Sequence, residues 1–173
     1  MNIRLRKIAL CGVITSFALI AFILEGLLPP LFLPGARLGL SNAFILLVAL
    51  LCGWQYAFAS LIIKIVLGSI FAGNISSIMY SLPAGLFSLT LQIILIFVLN
   101  RFSIVSVSVF GAVVNSTIQN LVFCLVTGSL EYLYYLPYLA LISVFSGALV
   151  GFIVYLTIKK LPEKFFFRVK NKI

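Results

Sequence analysis

Between Ile8 and Ile158 the chain carries only five charged side chains, Glu25, Arg37, Lys64, Arg101 and Glu131, set among long apolar runs. A bilayer core is about 30 Å thick, and one helical crossing needs about 20 mainly apolar residues. The pattern predicts an all-α, polytopic membrane protein, a bundle of six transmembrane helices. Of 173 residues, 64% are hydrophobic and 9% charged, against roughly a quarter charged in a soluble domain. Six crossings with tight turns use the whole length, so residues 1–173 read as a single membrane domain without a soluble catalytic part.

The helices are expected at about 8–28, 40–53, 56–73, 78–99, 104–127 and 137–158, with 159–173 as a basic cytoplasmic tail along the membrane surface. The first apolar run follows a basic start, as in a signal peptide. It exceeds the roughly 7 to 15 apolar residues of a cleaved signal and leads into more membrane sequence, so it reads as a retained helix. The second is short for a crossing, tilted or sheltered by its neighbours, with Ser41 or Asn42 as its cap. Gly53-Trp54-Gln55 reads as a tight turn, Asn74-Ile75-Ser76-Ser77 as a polar link and Gly128 to Glu131 as a further turn. Pro83 falls in the first turns of the fourth helix, where a missing amide donor matters least.

The net charge of +9 does not indicate nucleic acid, because the charges sit at the ends. Arg4, Arg6 and Lys7 precede the first run; Lys159, Lys160, Lys164, Arg168, Lys170 and Lys172 follow the last. Basic residues mark cytoplasmic ends and loops, and they suit an anionic lipid surface. With an even number of helices Arg101 joins them, and only Arg37 stands in the opposite loops. The expected location is the cell membrane, with both termini cytoplasmic.

Helix positions four apart share a face. Ser60, Lys64, Gly68 and Ala72 form one stripe, and Ser81, Gly85, Ser88 and Gln92 another. The fifth helix carries Gly111, Asn115 and Gln119 with Ser116 and Asn120 beside them, and the sixth Ser143, Gly147 and Gly151. Small residues let helices approach closely in lipid, so packing explains the glycines and serines. A lysine in mid-membrane costs roughly 2.5 to 3.5 kcal/mol on insertion scales and therefore faces a partner or a watery cavity. Lys64 either bonds to carbonyls and amides within the fold or meets a ligand. Glu25 either clasps Arg37 or contacts a ligand, and Asn115, Gln119 and Asn120 either bond between helices or line the site. The candidate substrate-binding residues are thus Glu25, Arg37, Asn42, Lys64, Asn115, Gln119 and Asn120, with Arg37 on a gating loop and Lys64 at the cavity floor.

The chain has no aspartate or histidine and only three glutamates, at positions 25, 131 and 163. Metal-assisted chemistry on diphosphates needs clustered carboxylates, and a Ser-His-Asp or Cys-His arrangement needs histidine. No G-x-x-x-x-G-K-[ST] loop is present to bind ATP. Cys11, Cys52 and Cys124 stand singly, as small core residues. The chain reads as a non-enzyme with no cofactor and no metal.

The segment Pro34-Gly35-Ala36-Arg37-Leu38-Gly39-Leu40-Ser41-Asn42, followed by an apolar helix, Gly53, Lys64 and Gly68, resembles the Gx transporter family, whose members are also labelled heptaprenyl diphosphate synthase component I. The resemblance covers roughly residues 5 to 160. That family is similar in size and layout to the S components of energy-coupling factor (ECF) transporters. The likeness implies a membrane subunit that binds a small nutrient, a vitamin or cofactor precursor, and docks on a transmembrane coupling subunit carrying two ATPases. In that group small residues on the first helix make the docking face; here Gly12 and Ser16 stand in the corresponding places. The synthase label implies at most an accessory membrane role, since prenyl-chain elongation uses aspartate-rich motifs. A stand-alone carrier is the third reading.

Overall fold

The computed structural model describes residues 3–27, 39–99 and 102–161. Arg37, Arg101 and the tail beyond Leu161 lie outside these residues. Among these residues six α-helices follow one another: α1 (Ile3–Leu27), α2 (Ser41–Leu51), α3 (Trp54–Phe71), α4 (Ser77–Ile94), α5 (Ile104–Thr127) and α6 (Leu136–Lys160). A π-helical turn, Leu95–Leu99, extends α4, and a 3-10 turn, Leu130–Tyr135, leads into α6. Among the described residues no strand occurs. The protein is an all-α, multi-pass membrane bundle: among the described residues five helices are long and apolar enough to cross a bilayer, and α2 is a shorter apolar one.

The helix ends differ from the expected ones where hydropathy and hydrogen bonding part company. α1 begins at Ile3 rather than near residue 8, because basic side chains end an apolar run without breaking a helix. α6 likewise continues to Lys160, with two lysines in its last turn, where cations suit the helix dipole. Pro83 is the seventh residue of α4, past the first turn, so it removes one internal hydrogen bond. α5 starts after Ser103, whose hydroxyl accepts from Ser106 N at 3.2 Å.

α2 has 11 residues, a rise of about 16 Å, roughly half the hydrocarbon thickness. Nine of them are buried, so lipid scarcely touches it. Shelter by the neighbouring helices is what the structure provides. Two contacts fix its direction: Ser41 at its start meets Glu25 late in α1, and Cys52 at its end lies 3.8 Å from the carbonyl of Lys7 early in α1. The two helices are antiparallel. Gly53, at φ +115°, makes the turn into α3 that a side chain would strain.

The core falls into two apolar clusters, one centred on Ala18, Leu61 and Leu89 between α1, α3 and α4, the other on Leu46, Val107 and Val154 between α2, α5 and α6. α2 contributes to both. The outer surface is apolar, with Phe87, Val98, Leu125 and Phe145 exposed, as a lipid-facing sheath requires. Helices α5 and α6 approach so closely that a Cβ on Gly147 would stand 2.9 Å from Val109 Cα, and one on Gly151 2.7 Å from Val105 Cα. The stripe of α6 is therefore a packing seam.

Candidate functional site

The residue that lipid tolerates least is also among the most deeply buried: Lys64 is 2% exposed. It lies on the face of α3 that carries Ser60 and Gly68. Its Nζ donates to Asn42 Oδ1 at 2.7 Å and to Ser41 Oγ at 3.3 Å, and it stands 5.5 Å from the ring centroid of Phe22 on α1, within cation–π range. Ser41 connects it to the acid. The Ser41 backbone N–H donates to Glu25 Oε1 at 3.1 Å, and its hydroxyl to Glu25 Oε2 at 3.3 Å. One serine thus bridges a buried lysine and a buried glutamate.

This explains why neither Ser41 nor Asn42 caps α2 as the sequence suggests. Leu40 is the cap residue, with no side-chain cap bond. The first amide of α2 is satisfied by Glu25 from α1 instead, and an acid there is favoured by the helix dipole. Charge-assisted hydrogen bonds are worth roughly 1.5 to 3 kcal/mol each, comparable with the cost of one charge in mid-membrane. Lys64 therefore has internal partners, as its structural reading requires, and still faces a cavity.

Glu25, Ser41, Asn42 and Lys64 line that cavity together with Asn115 and Gln119 of α5. Phe22, Leu61 and Ile65 supply its apolar wall. Gln119 Nε2 reaches Ser81 Oγ on α4 at 3.4 Å, so α4 and α5 close the far side. A second cavity adjoins it, sharing Gly39, Asn42 and Asn115, and continues between Gln92, Ser108, Ser116 and Ser146. Both are narrow, with about 20 and 10 Å³ open to water-sized molecules, enough for a water or so.

Five of the candidates, Glu25, Asn42, Lys64, Asn115 and Gln119, meet at one cavity. Asn120 does not line either cavity: its amide donates to Tyr132 O at 3.1 Å and ties the 3-10 turn to α5. Arg37 lies outside the described residues, and with it the proposed clasp to Glu25. Gly12 and Ser16 are on the exposed face of α1, away from the cavity lining, with nothing within 4 Å of a Cβ placed on Gly12. The other lining residues, Ser41 and Phe22 among them, are not marked as site members by the sequence. Ser41 reads as a helix cap in the sequence, and Phe22 lies three positions before Glu25 on the same face of α1, a spacing that sets it beside that acid.

Residues 14–157 match the family model described as heptaprenyl diphosphate synthase component I. The chain belongs to that family. The match takes in α2, α3, α4 and α5 whole and most of α1 and α6, so every cavity residue named above falls within it. No curated protein and no solved structure matches the chain. Among the described residues no group of three or more His, Cys, Asp or Glu side chains is placed to hold a metal ion.

Proposed function

We propose that this member of the heptaprenyl diphosphate synthase component I family is a membrane subunit that binds a small solute for uptake, energised by a separate ATPase module. The observation that carries the reading is the buried Lys64, wired through Ser41 to Glu25 on the wall of a polar cavity inside the bundle. Ionisable groups within a membrane domain mark substrate pathways by default. Ligand sites combine an apolar wall with a few convergent polar groups, and Phe22, Leu61, Asn42, Asn115 and Gln119 supply both. The chain itself is non-catalytic in this reading: it has no aspartate and no ATP-binding loop. Native mass spectrometry of the gently purified protein is expected to show a retained small molecule, and uptake in cells is expected to require coupling-factor subunits.

The exposed face of α1 is the proposed docking surface for the coupling partner. Gly12 and Ser16 leave a shallow strip there between the exposed Ile8, Val13 and Phe17. Close approach drives helix association in lipid, so Gly12→Leu is expected to reduce partner-dependent uptake at least tenfold while ligand affinity stays within about twofold. An unchanged transport rate in that variant rules out this docking face.

The proposed location is the cytoplasmic membrane with both termini inside, on the strength of the basic ends. Reporter fusions after residues 103 and 173 are expected to report cytoplasm, and those after 75 and 130 the outside. An external C-terminus overturns the orientation.

The family description favours a second reading, an accessory membrane component of a prenyl diphosphate synthase. It predicts co-purification with a soluble, aspartate-rich synthase subunit rather than with coupling-factor ATPases. A stand-alone carrier predicts uphill uptake by the purified chain alone in liposomes.

A further inference from the structure

The cavity holds one buried cation and one buried anion, and among the described residues these are the charges on its wall. Each is joined to the same hydroxyl: Lys64 Nζ donates to Ser41 Oγ at 3.3 Å, and Ser41 Oγ donates to Glu25 Oε2 at 3.3 Å. Both oxygens of Glu25 accept, Oε1 from the Ser41 backbone amide and Oε2 from the Ser41 hydroxyl. Among the described residues the lining is therefore balanced before any ligand enters. In a low-dielectric interior an unbalanced charge is costly, so a solute with a net charge leaves either itself or one wall residue uncompensated. A solute with one positive and one negative group replaces the wall's own pairing with two matched ones. The adjoining cavity adds only neutral hydrogen-bonding groups, chiefly Gln92, Asn115 and Ser116.

Resting on the solute-binding reading above, we infer that the ligand is a small zwitterion, its anionic group on Lys64, its cationic group on Glu25 and its uncharged polar remainder toward Asn115 and Gln92. The multiply charged head of a diphosphate does not suit this wall, where Glu25 already offsets the single lysine. Ser41 is the residue whose bonds the ligand displaces, since it occupies both charged partners at once, and the cavity, with room for a water or so, has to widen as the ligand enters.

The test uses the full chain in lipid nanodiscs, read by thermal unfolding and by competition between probes. The probes are glycine, β-alanine and 4-aminobutyrate, which differ in charge separation, together with acetate, propionate, butyrate and inorganic diphosphate. At least one zwitterion is expected to raise the unfolding temperature saturably, with the matching carboxylate at least tenfold weaker. Glu25→Gln, close to isosteric, is expected to reverse that order in favour of the carboxylate. Preference of the wild type for a carboxylate or for diphosphate overturns the zwitterion and leaves solute binding standing. The wild-type ranking decides this even where the variant does not fold. Should no probe bind, the retained molecule in native mass spectrometry decides: a zwitterion supports the inference, and any other species overturns it. Absence of any retained molecule together with absence of any shift overturns both the inference and the solute-binding reading.

Discussion

Gly151→Leu is expected to leave little folded protein. A single Cβ there meets Val105 Cα at 2.7 Å and Ser108 Cβ at 2.9 Å, and the first of these is backbone that cannot swing aside. Overpacking a tight seam costs roughly 1 to 3 kcal/mol for modest additions, occasionally more, and leucine adds three further carbons. We expect a loss of about 3 kcal/mol or more, read by unfolding in detergent and by the monodisperse fraction on gel filtration. Gly147 adjoins the same seam, with Ala112 Cβ at 2.8 Å from the added Cβ, and Gly147→Leu is expected to behave alike. Gly12→Leu is the control: open space surrounds that glycine, so its stability stays within about 0.5 kcal/mol of wild type. Equal stability of the Gly151 variant contradicts the close α5–α6 approach.

Lys64→Met is expected to abolish ligand retention and also to destabilise the bundle, for separable reasons. The substitution removes a charge whose insertion is costly, yet it takes the Lys64 donor from Asn42 Oδ1 and the Ser41 hydroxyl and removes the cation that offsets Glu25. Breaking a buried pair on one side costs about 3 to 5 kcal/mol, which exceeds the relief, so the net effect is loss of stability. Adding Glu25→Gln removes the uncompensated acid. The double variant is expected to regain at least about 1 kcal/mol relative to Lys64→Met, a coupling of the size found for residues in one network. Binding is not expected to return, because the cation is still absent. Additive effects on stability contradict the Ser41-bridged pairing, and restored binding in the double variant contradicts the role given to Lys64.

The long helices were legible because their signals are local. α5 runs from Ile104 to Thr127 as expected, since Ser103 supplies a cap and Gly128 a left-handed end at φ +69°, and both signs lie in adjacent residues. The four-residue steps on α3 and α4 likewise foretold which faces are buried, Ser60, Lys64 and Gly68 on one and Ser81, Gly85, Ser88 and Gln92 on the other. The pairing of Glu25 with Ser41 was not legible. Sixteen positions separate them, and the intervening prolines and glycines carry no period that sets a register. Asn120 shows the limit of stripe arguments at finer grain. It is one position beyond Gln119, about 100° round the helix, and that turn takes it from the cavity to the carbonyl of Tyr132.

The brevity of α2 bears on how the protein is made. A translocation channel releases a segment into lipid when its summed transfer free energy is favourable, and each Leu, Ile, Val or Phe near the centre contributes only about −0.3 to −0.6 kcal/mol. Eleven residues that reach halfway across, flanked at the start by Glu25, Ser41, Asn42 and Lys64, form a weak stop on their own. Its polar start is matched only once α1 and α3 stand on either side. The ribosome must therefore have delivered α3 before α2 can settle, and the order of synthesis differs from the order of anchoring. Chains truncated before Lys64 leave α2 without the partner that holds its first turn, and quality-control proteases in the membrane have an unsettled helix to grip.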